Sequence, residues 1–200
     1  MTSTDPILRQ HAGRDAVVIE LRFPHPLERV WRAVTEAEHL AHWFPGAPEF
    51  ELRPGGAVRF PEFAGEPAEQ GRVLECEPPH RLRFTWDTDE LLFELLEEGE
   101  GTRFVLTHAF DDAAGAASFA TGWETCLMGL LAVLDGGEAP DPGPRPERHE
   151  GLAARFGLGR PELEQTADGW SLRVERQLVC SADAAWDLLR GDGAGAPAAP

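Results

Sequence analysis

Apolar residues recur with a helical period over residues 27–44. Leu27, Val30, Trp31 and Val34 fall at i, i+3, i+4 and i+7, which places four apolar side chains on one helical face. Pro26 suits the first turn of that helix, because its missing N–H would have no partner there and its φ is already helical. Thr35, with Glu38 three residues on, has the pattern of a capping box and predicts a second short helix carrying Leu40, Trp43 and Phe44. Pro45 and Gly46 stop it. Upstream, residues 16–23 have the β-branched and apolar content of a strand, and residues 1–13 read as a loose tail.

From residue 49 the period changes from helical to alternating. Short extended runs at 50–52 and 57–60 flank Pro54-Gly55-Gly56, a hairpin signal. Further runs follow at 71–77, 81–86, 91–96 and 102–110, separated by a Pro78-Pro79 corner and by acidic or Gly turns. Short connections make an antiparallel meander the natural topology. Leu82, Phe84 and Trp86 share one face, as do Phe104, Leu106, His108 and Phe110, whereas Arg81, Arg83 and Arg103 lie opposite. One sheet face is therefore buried and the other solvated. Asp111-Asp112 then caps a long helix over 113–134, whose stripe of Phe119, Trp123, Leu127, Leu130 and Leu134 must cover the apolar face.

Residues 136–168 are rich in Gly, Pro and acidic side chains and read as a linker, with one or two helical turns at 149–156. A strand over 171–179 and a helix over 182–189 follow. Here an echo emerges: a shift of 155 residues that places Trp186 on Trp31 also places Glu175 on Glu20, Val174 on Ile19 and Asp183 on Glu28. The expected organisation is one domain over 14–135, the linker, and an incomplete second copy with a plain tail over 169–200. An unpaired strand and helix there are expected to dock on the first domain or on another copy of the chain.

Composition narrows the function classes. The 200 residues are 42% hydrophobic, enough for one good core. A net charge of −17 and the absence of Lys argue against a nucleic-acid surface, which needs clustered cations. No basic-then-apolar leader occurs and no run approaches the ~20 apolar residues of a membrane span, so a cytoplasmic protein is expected. Cys76, Cys126 and Cys180 are far apart and lie in apolar patterns, as reduced structural cysteines do. Pro54-Gly55-Gly56 lacks the Lys and helix of a nucleotide loop, and no nucleophile triad or paired carboxylate motif is visible. His39 and His42 could share a metal with Glu36 or Glu38, but with no further His or Cys nearby they read as exposed helix positions. No metal or cofactor is expected.

In order, PLERVWRAVT at 26–35, HLAHWF at 39–44, FELRPGGAVRF at 50–60, GRVLECEPPHRLRFTW at 71–86, GTRFVLTH at 101–108 and GWETCL at 122–127 resemble the START-like, or helix-grip, superfamily (SRPBCC), and within it the branch named after the activator of Hsp90 ATPase (AHSA1). The resemblance implies an α+β fold: a curved antiparallel sheet wrapped on its long C-terminal helix, with two short helices after the first strand. It also implies a cavity between sheet and helix. Trp43, Phe44, Phe60, Trp86, Phe93, Phe104, Leu106, His108, Trp123 and Leu127 are the residues expected at that cavity or its rim. His108 is the polar candidate, as a ligand contact or a base, against the plainer role of a satisfied histidine at the core rim. Glu124 beside Trp123 is read as an outer-face carboxylate rather than a pocket acid. The function expected is non-enzymatic binding of a small hydrophobic molecule. Alternatives are partner binding as an Hsp90 co-chaperone, or catalysis like that of a polyketide cyclase or aromatase. A homodimer is a further option.

Overall fold

The computed structural model of the chain describes residues 2–3, 5–61 and 69–190. Strands β1 (Thr2–Ser3), β2 (Ile7–His11) and β3 (Arg14–Phe23) precede helices α1 (Leu27–Thr35) and α2 (Ala37–Leu40). Strands β4 (Glu49–Phe50), β5 (Ala57–Phe60), β6 (Glu69–Glu77), β7 (Arg81–Trp86), β8 (Asp89–Glu98) and β9 (Gly101–Phe110) lead to the long helix α3 (Ala116–Asp135). These nine strands form one antiparallel sheet in the order β1-β3-β9-β8-β7-β6-β5-β4, with β2 also on β3 beside β1. The chain has the α+β helix-grip architecture that its motifs imply.

Alternation fixes which face is buried. Phe84, Phe93, Phe104 and Leu106 are fully buried on the concave face and pack with Leu127 and Leu130 of α3 and with Trp43 and Phe44, which follow α2. Burying each such Phe contributes about 2–3 kcal/mol, so this cluster dominates the stability of the domain. The convex face carries an ion-pair ladder across three strands. Arg81 bridges Glu75 and Glu94, both at 2.6 Å, and Arg83 bridges Glu75 at 2.9 Å and Glu90 at 3.0 Å.

Several local expectations change. The tail contains a strand, since β2 pairs with β3 from Ile7↔Val18 to His11↔Arg14. Its two-residue turn places Ala12 at φ 51° and Gly13 at φ 87°, the left-handed pair that matches strand twist; Ala at the first position hides the signal. Pro26 stands just before α1, where its carbonyl accepts from Arg29 and Val30. Thr35 caps nothing: it closes α1, its hydroxyl donating to the Trp31 carbonyl at 2.7 Å. Asp112 does cap, accepting from the Gly115 amide at 3.2 Å in a short 3-10 turn before α3. Residues Ala113–Asp135 are, contrary to the sequence reading, long and apolar enough for a membrane span by length and composition, with mean hydropathy 1.4. Their stripe of Trp123, Leu127, Leu130 and Leu134 is buried in the domain core, which makes α3 a core helix.

The linker region is more ordered than its composition suggests. Helix α4 (Pro146–Phe156) begins with Pro at its first turn, ends at Gly157 with φ 72°, and packs Leu152 and Ala153 into the core beside α3. Arg148 clamps it, donating to both carboxylate oxygens of Glu124 and, at 3.0 Å, to Asp5. Glu124 is thereby an ion-paired tether outside the concave core. Beyond it, β10 (Glu162–Thr166) and β11 (Gly169–Arg173) form a separate two-stranded hairpin, and α5 (Ala182–Arg190) follows.

Candidate functional site

The side chains that converge on one open space lie where the first turns of α3 face the β7–β8 hairpin. A cavity of about 370 Å³ opens there. The hairpin contributes Trp86, Asp87 and Asp89, β9 contributes His108, and the loop after α2 contributes Pro45. Its turn is only Asp87-Thr88, with Asp87 at φ 51°, a conformation that Asp tolerates better than most residues. From α3 come Ser118, Phe119, Gly122, Trp123 and Cys126, which recur at one-turn spacing along one stripe. Gly122 makes the room: no heavy atom lies within 4 Å of where its Cβ would stand.

The aromatic wall is two layers deep. Trp86 stacks on Phe60 with ring centres 5.1 Å apart and planes at 12°, while Phe44 touches both Trp86 at 5.5 Å and Trp123 at 5.4 Å. Phe44 and Phe60 therefore brace the wall from behind and are 4% and 3% exposed. Trp43 is held in the core, its indole N–H donating to the Ala33 carbonyl at 2.9 Å. Of the ten residues expected at the cavity, Trp86, His108 and Trp123 line it. Trp43, Phe44, Phe60, Phe93, Phe104, Leu106 and Leu127 belong to the packed core. The sequence reading missed Pro45, Asp87, Asp89, Ser118, Phe119, Gly122 and Cys126 as lining; for the last four, on α3, the only signal was their shared helical stripe with Trp123.

The polar side is organised around His108. The Trp123 indole can only donate, and it points at His108 Nδ1 from 3.0 Å, so Nδ1 carries the lone pair and Nε2 the proton. Nε2–H then donates to Asp89 Oδ2 at 2.9 Å. Arg14 lies 3.5 Å from the other Asp89 oxygen and donates through Nε to Asp111 at 2.8 Å, linking the two carboxylates. Phe110 and Phe119 close edge-on against the imidazole. Both ring nitrogens are thus committed, and the ring is 5% exposed. On the opposite wall, burial pushes the Cys126 thiol up to about 11, which keeps it neutral and unreactive near pH 7. Cys76 is also pushed up by burial, and Cys180 is exposed; all three cysteines are unpaired. His39 pairs with Glu36 at 3.5 Å, and among the described residues no group of three or more His, Cys, Asp and Glu is assembled for a metal.

Comparison with known proteins places this architecture. No curated protein matches the chain. Among solved structures, CalU16 from Micromonospora echinospora superposes with a TM-score of 0.63 at 28% identity, over 78% of this chain and 99% of its own. The protein encoded by BPP1335 from Bordetella parapertussis is also 28% identical, with a TM-score of 0.55 over 78% of this chain and 94% of its own. A conserved protein of unknown function from Enterococcus faecalis, EF2215, shares the fold with a TM-score of 0.62 at 23% identity, over 76% of this chain and 90% of its own. Residues 24–135, more than half of the chain, match the family described as activator of Hsp90 ATPase homolog 1-like protein. They span α1 to the end of α3 and hold every cavity-lining residue, so the chain belongs to the activator of Hsp90 ATPase homolog 1-like family of helix-grip proteins.

Proposed function

We propose that this protein binds a small hydrophobic molecule in the cavity between α3 and the β7–β8 hairpin, without transforming it. The observation that carries the reading is the Trp123–His108–Asp89 chain set in an aromatic wall. A general base needs a free lone pair within reach of its substrate, and the His108 lone pair is taken by the Trp123 indole. What remains for recognition is the apolar surface of Trp86, Phe119 and Trp123 with carboxylate oxygens at Asp87 and Asp89. Carboxylates only accept, so the fitting ligand is an apolar ring or chain with a hydroxyl or other donor at one end. Unpaired cysteines agree with a reducing compartment such as the cytoplasm.

The test uses 1-anilinonaphthalene-8-sulfonate as the probe, with native mass spectrometry of the purified chain for a retained small molecule. At Gly122 a Cβ meets no heavy atom within 4 Å and points to the open space, so Gly122→Leu should fill that space, fold normally and lose at least tenfold in probe affinity. Unchanged probe affinity in Gly122→Leu would remove the cavity as the binding site.

A further inference from the structure

We infer that residues 162–190 repeat the opening unit of the fold, residues 7–35, and that the apolar face they carry is an interface for a second copy of this chain. The shift of 155 residues suggested by Trp31 and Trp186 holds element by element. It carries β2 (Ile7–His11) onto β10 (Glu162–Thr166), the start of β3 at Arg14 onto the start of β11 at Gly169, and α1 (Leu27–Thr35) onto α5 (Ala182–Arg190). Register is preserved too: Ile7↔Val18 and His11↔Arg14 become Glu162↔Arg173 and Thr166↔Gly169. The helix start also matches, since Pro26 O accepts from Val30 N at 3.2 Å and Ser181 O from Ala185 N at 3.0 Å. Leu8, Gln10, Ala12, Glu20 and Trp31 meet identical residues at Leu163, Gln165, Ala167, Glu175 and Trp186.

The apolar pattern of the buried face is preserved in the sequence, although β11 ends at Arg173 where β3 runs on to Phe23. In β3, Val17, Ile19 and Phe23 correspond to Leu172, Val174 and Leu178, and only Leu21 meets a polar residue, Arg176. In α1, Leu27, Val30, Trp31 and Val34 correspond to Ala182, Ala185, Trp186 and Leu189. The first set is at most 8% exposed, whereas Leu172 is 65%, Val174 54%, Trp186 60% and Leu189 80% exposed. A two-stranded hairpin with its apolar face in water is marginal, so this face requires a cover.

The first copy shows what covers it. There the strand order is β2-β3-β9-β8, all antiparallel, and α1 packs across β9 and β8. An antiparallel strand paired with its own copy is two-fold symmetric, so the free edge of β11 can pair with the β11 of a second chain. The resulting order, β10-β11 followed by the partner's β11 and β10, reproduces the first one. Each α5 then lies over the partner's hairpin as α1 lies over β9 and β8, and Trp186 is buried. An aromatic buries ~150–250 Å², so Trp170 and Trp186 with the exposed Leu and Val side chains approach the ~800 Å² per partner of a standard interface. At a net charge of −17 the copies repel, so association strengthens as salt rises.

Sedimentation equilibrium of the full chain over about 1–100 μM tests this. The expected result is twice the chain mass, with a dissociation constant that falls between low and physiological salt. Trp186→Glu and Leu172→Glu should each sediment at single mass, and Asp187→Ala, on the polar side of α5, at double mass. All three should keep the far-UV circular dichroism and the probe affinity of the wild type, since within one chain α5 has no buried residue and β11 is exposed throughout. A wild-type chain at single mass across the range overturns the proposal, as does a Trp186→Glu chain that stays double. A single-mass chain that pellets with phosphatidylcholine vesicles overturns it in favour of a membrane surface.

Discussion

An imidazole usually leaves its tautomer open, but at His108 the neighbours decide it. An indole N–H cannot accept, so the 3.0 Å contact from Trp123 forces the lone pair onto Nδ1 and the proton toward Asp89. Long-range proton–nitrogen correlation spectra near neutral pH should therefore show an unprotonated Nδ1, and a protonated Nδ1 would contradict the arrangement. Trp123→Phe leaves that lone pair buried and unpaired, at a cost of about 1–3 kcal/mol. A melting temperature equal to wild type would show that the bond contributes nothing. The cysteines separate in the same way. Cys126, its thiol pushed up to about 11 by burial, should resist iodoacetamide at pH 7.5 while exposed Cys180 is modified; equal rates would deny the dry wall.

Helix α3 carries two glycines with opposite meanings. Gly122 borders open space, so Gly122→Ala should raise stability by about 0.5–1 kcal/mol through helix propensity alone. Gly129 is where α3 meets the chain after α2: a Cβ there would stand 3.1 Å from Trp43 Cβ and 3.2 Å from the His42 carbonyl. Gly129→Val should lower the melting temperature by several degrees, and a neutral result would mean that the two segments separate freely. This pair also shows what was legible beforehand. Alternation and helical spacing identified the sheet from 49 to 110, the first short helix and the long closing helix, because each is written in apolar periodicity; the second short helix stops at Leu40, so Trp43 and Phe44, expected on it, lie in the turns that follow. They identified which residues point inward, Phe93 and Leu106 as surely as Trp86. Whether an inward residue fills the core or lines a cavity depends on what stands opposite it, and the gap at Gly122 has no periodic signature. Asp87 and Asp89 were hidden because a two-residue turn reads as polar surface. Strands β2 and β10 were hidden because edge strands lack a continuous apolar alternation.

At the scale of the molecule, carboxylates held by arginines set the acid limit. Arg81 holds the Glu75 carboxyl below its ordinary range by hydrogen bonding; Arg176 does the same to Glu150, and Arg148 to Asp5. A carboxyl whose folded value is depressed binds protons more readily unfolded, so these contributions are present above the ordinary carboxylate range and are lost as pH falls through it. Thermal stability should be level from about pH 7 to 5 and decline below about pH 4. A melting temperature unchanged at pH 3 would show that the ladder and the tethers are decorative.

The Arg148 tether has a consequence for chain cleavage. Residues 136–144 are exposed and rich in Gly and Pro, so a protease finds its opening there. Helix α4 beyond them is held by the Glu124–Arg148–Asp5 network, by the Ser118–His149 hydrogen bond at 3.1 Å and by the burial of Leu152. A cut in that stretch should give two bands under denaturing electrophoresis and a single particle under native conditions: a nicked protein whose halves remain together with no peptide bond between them.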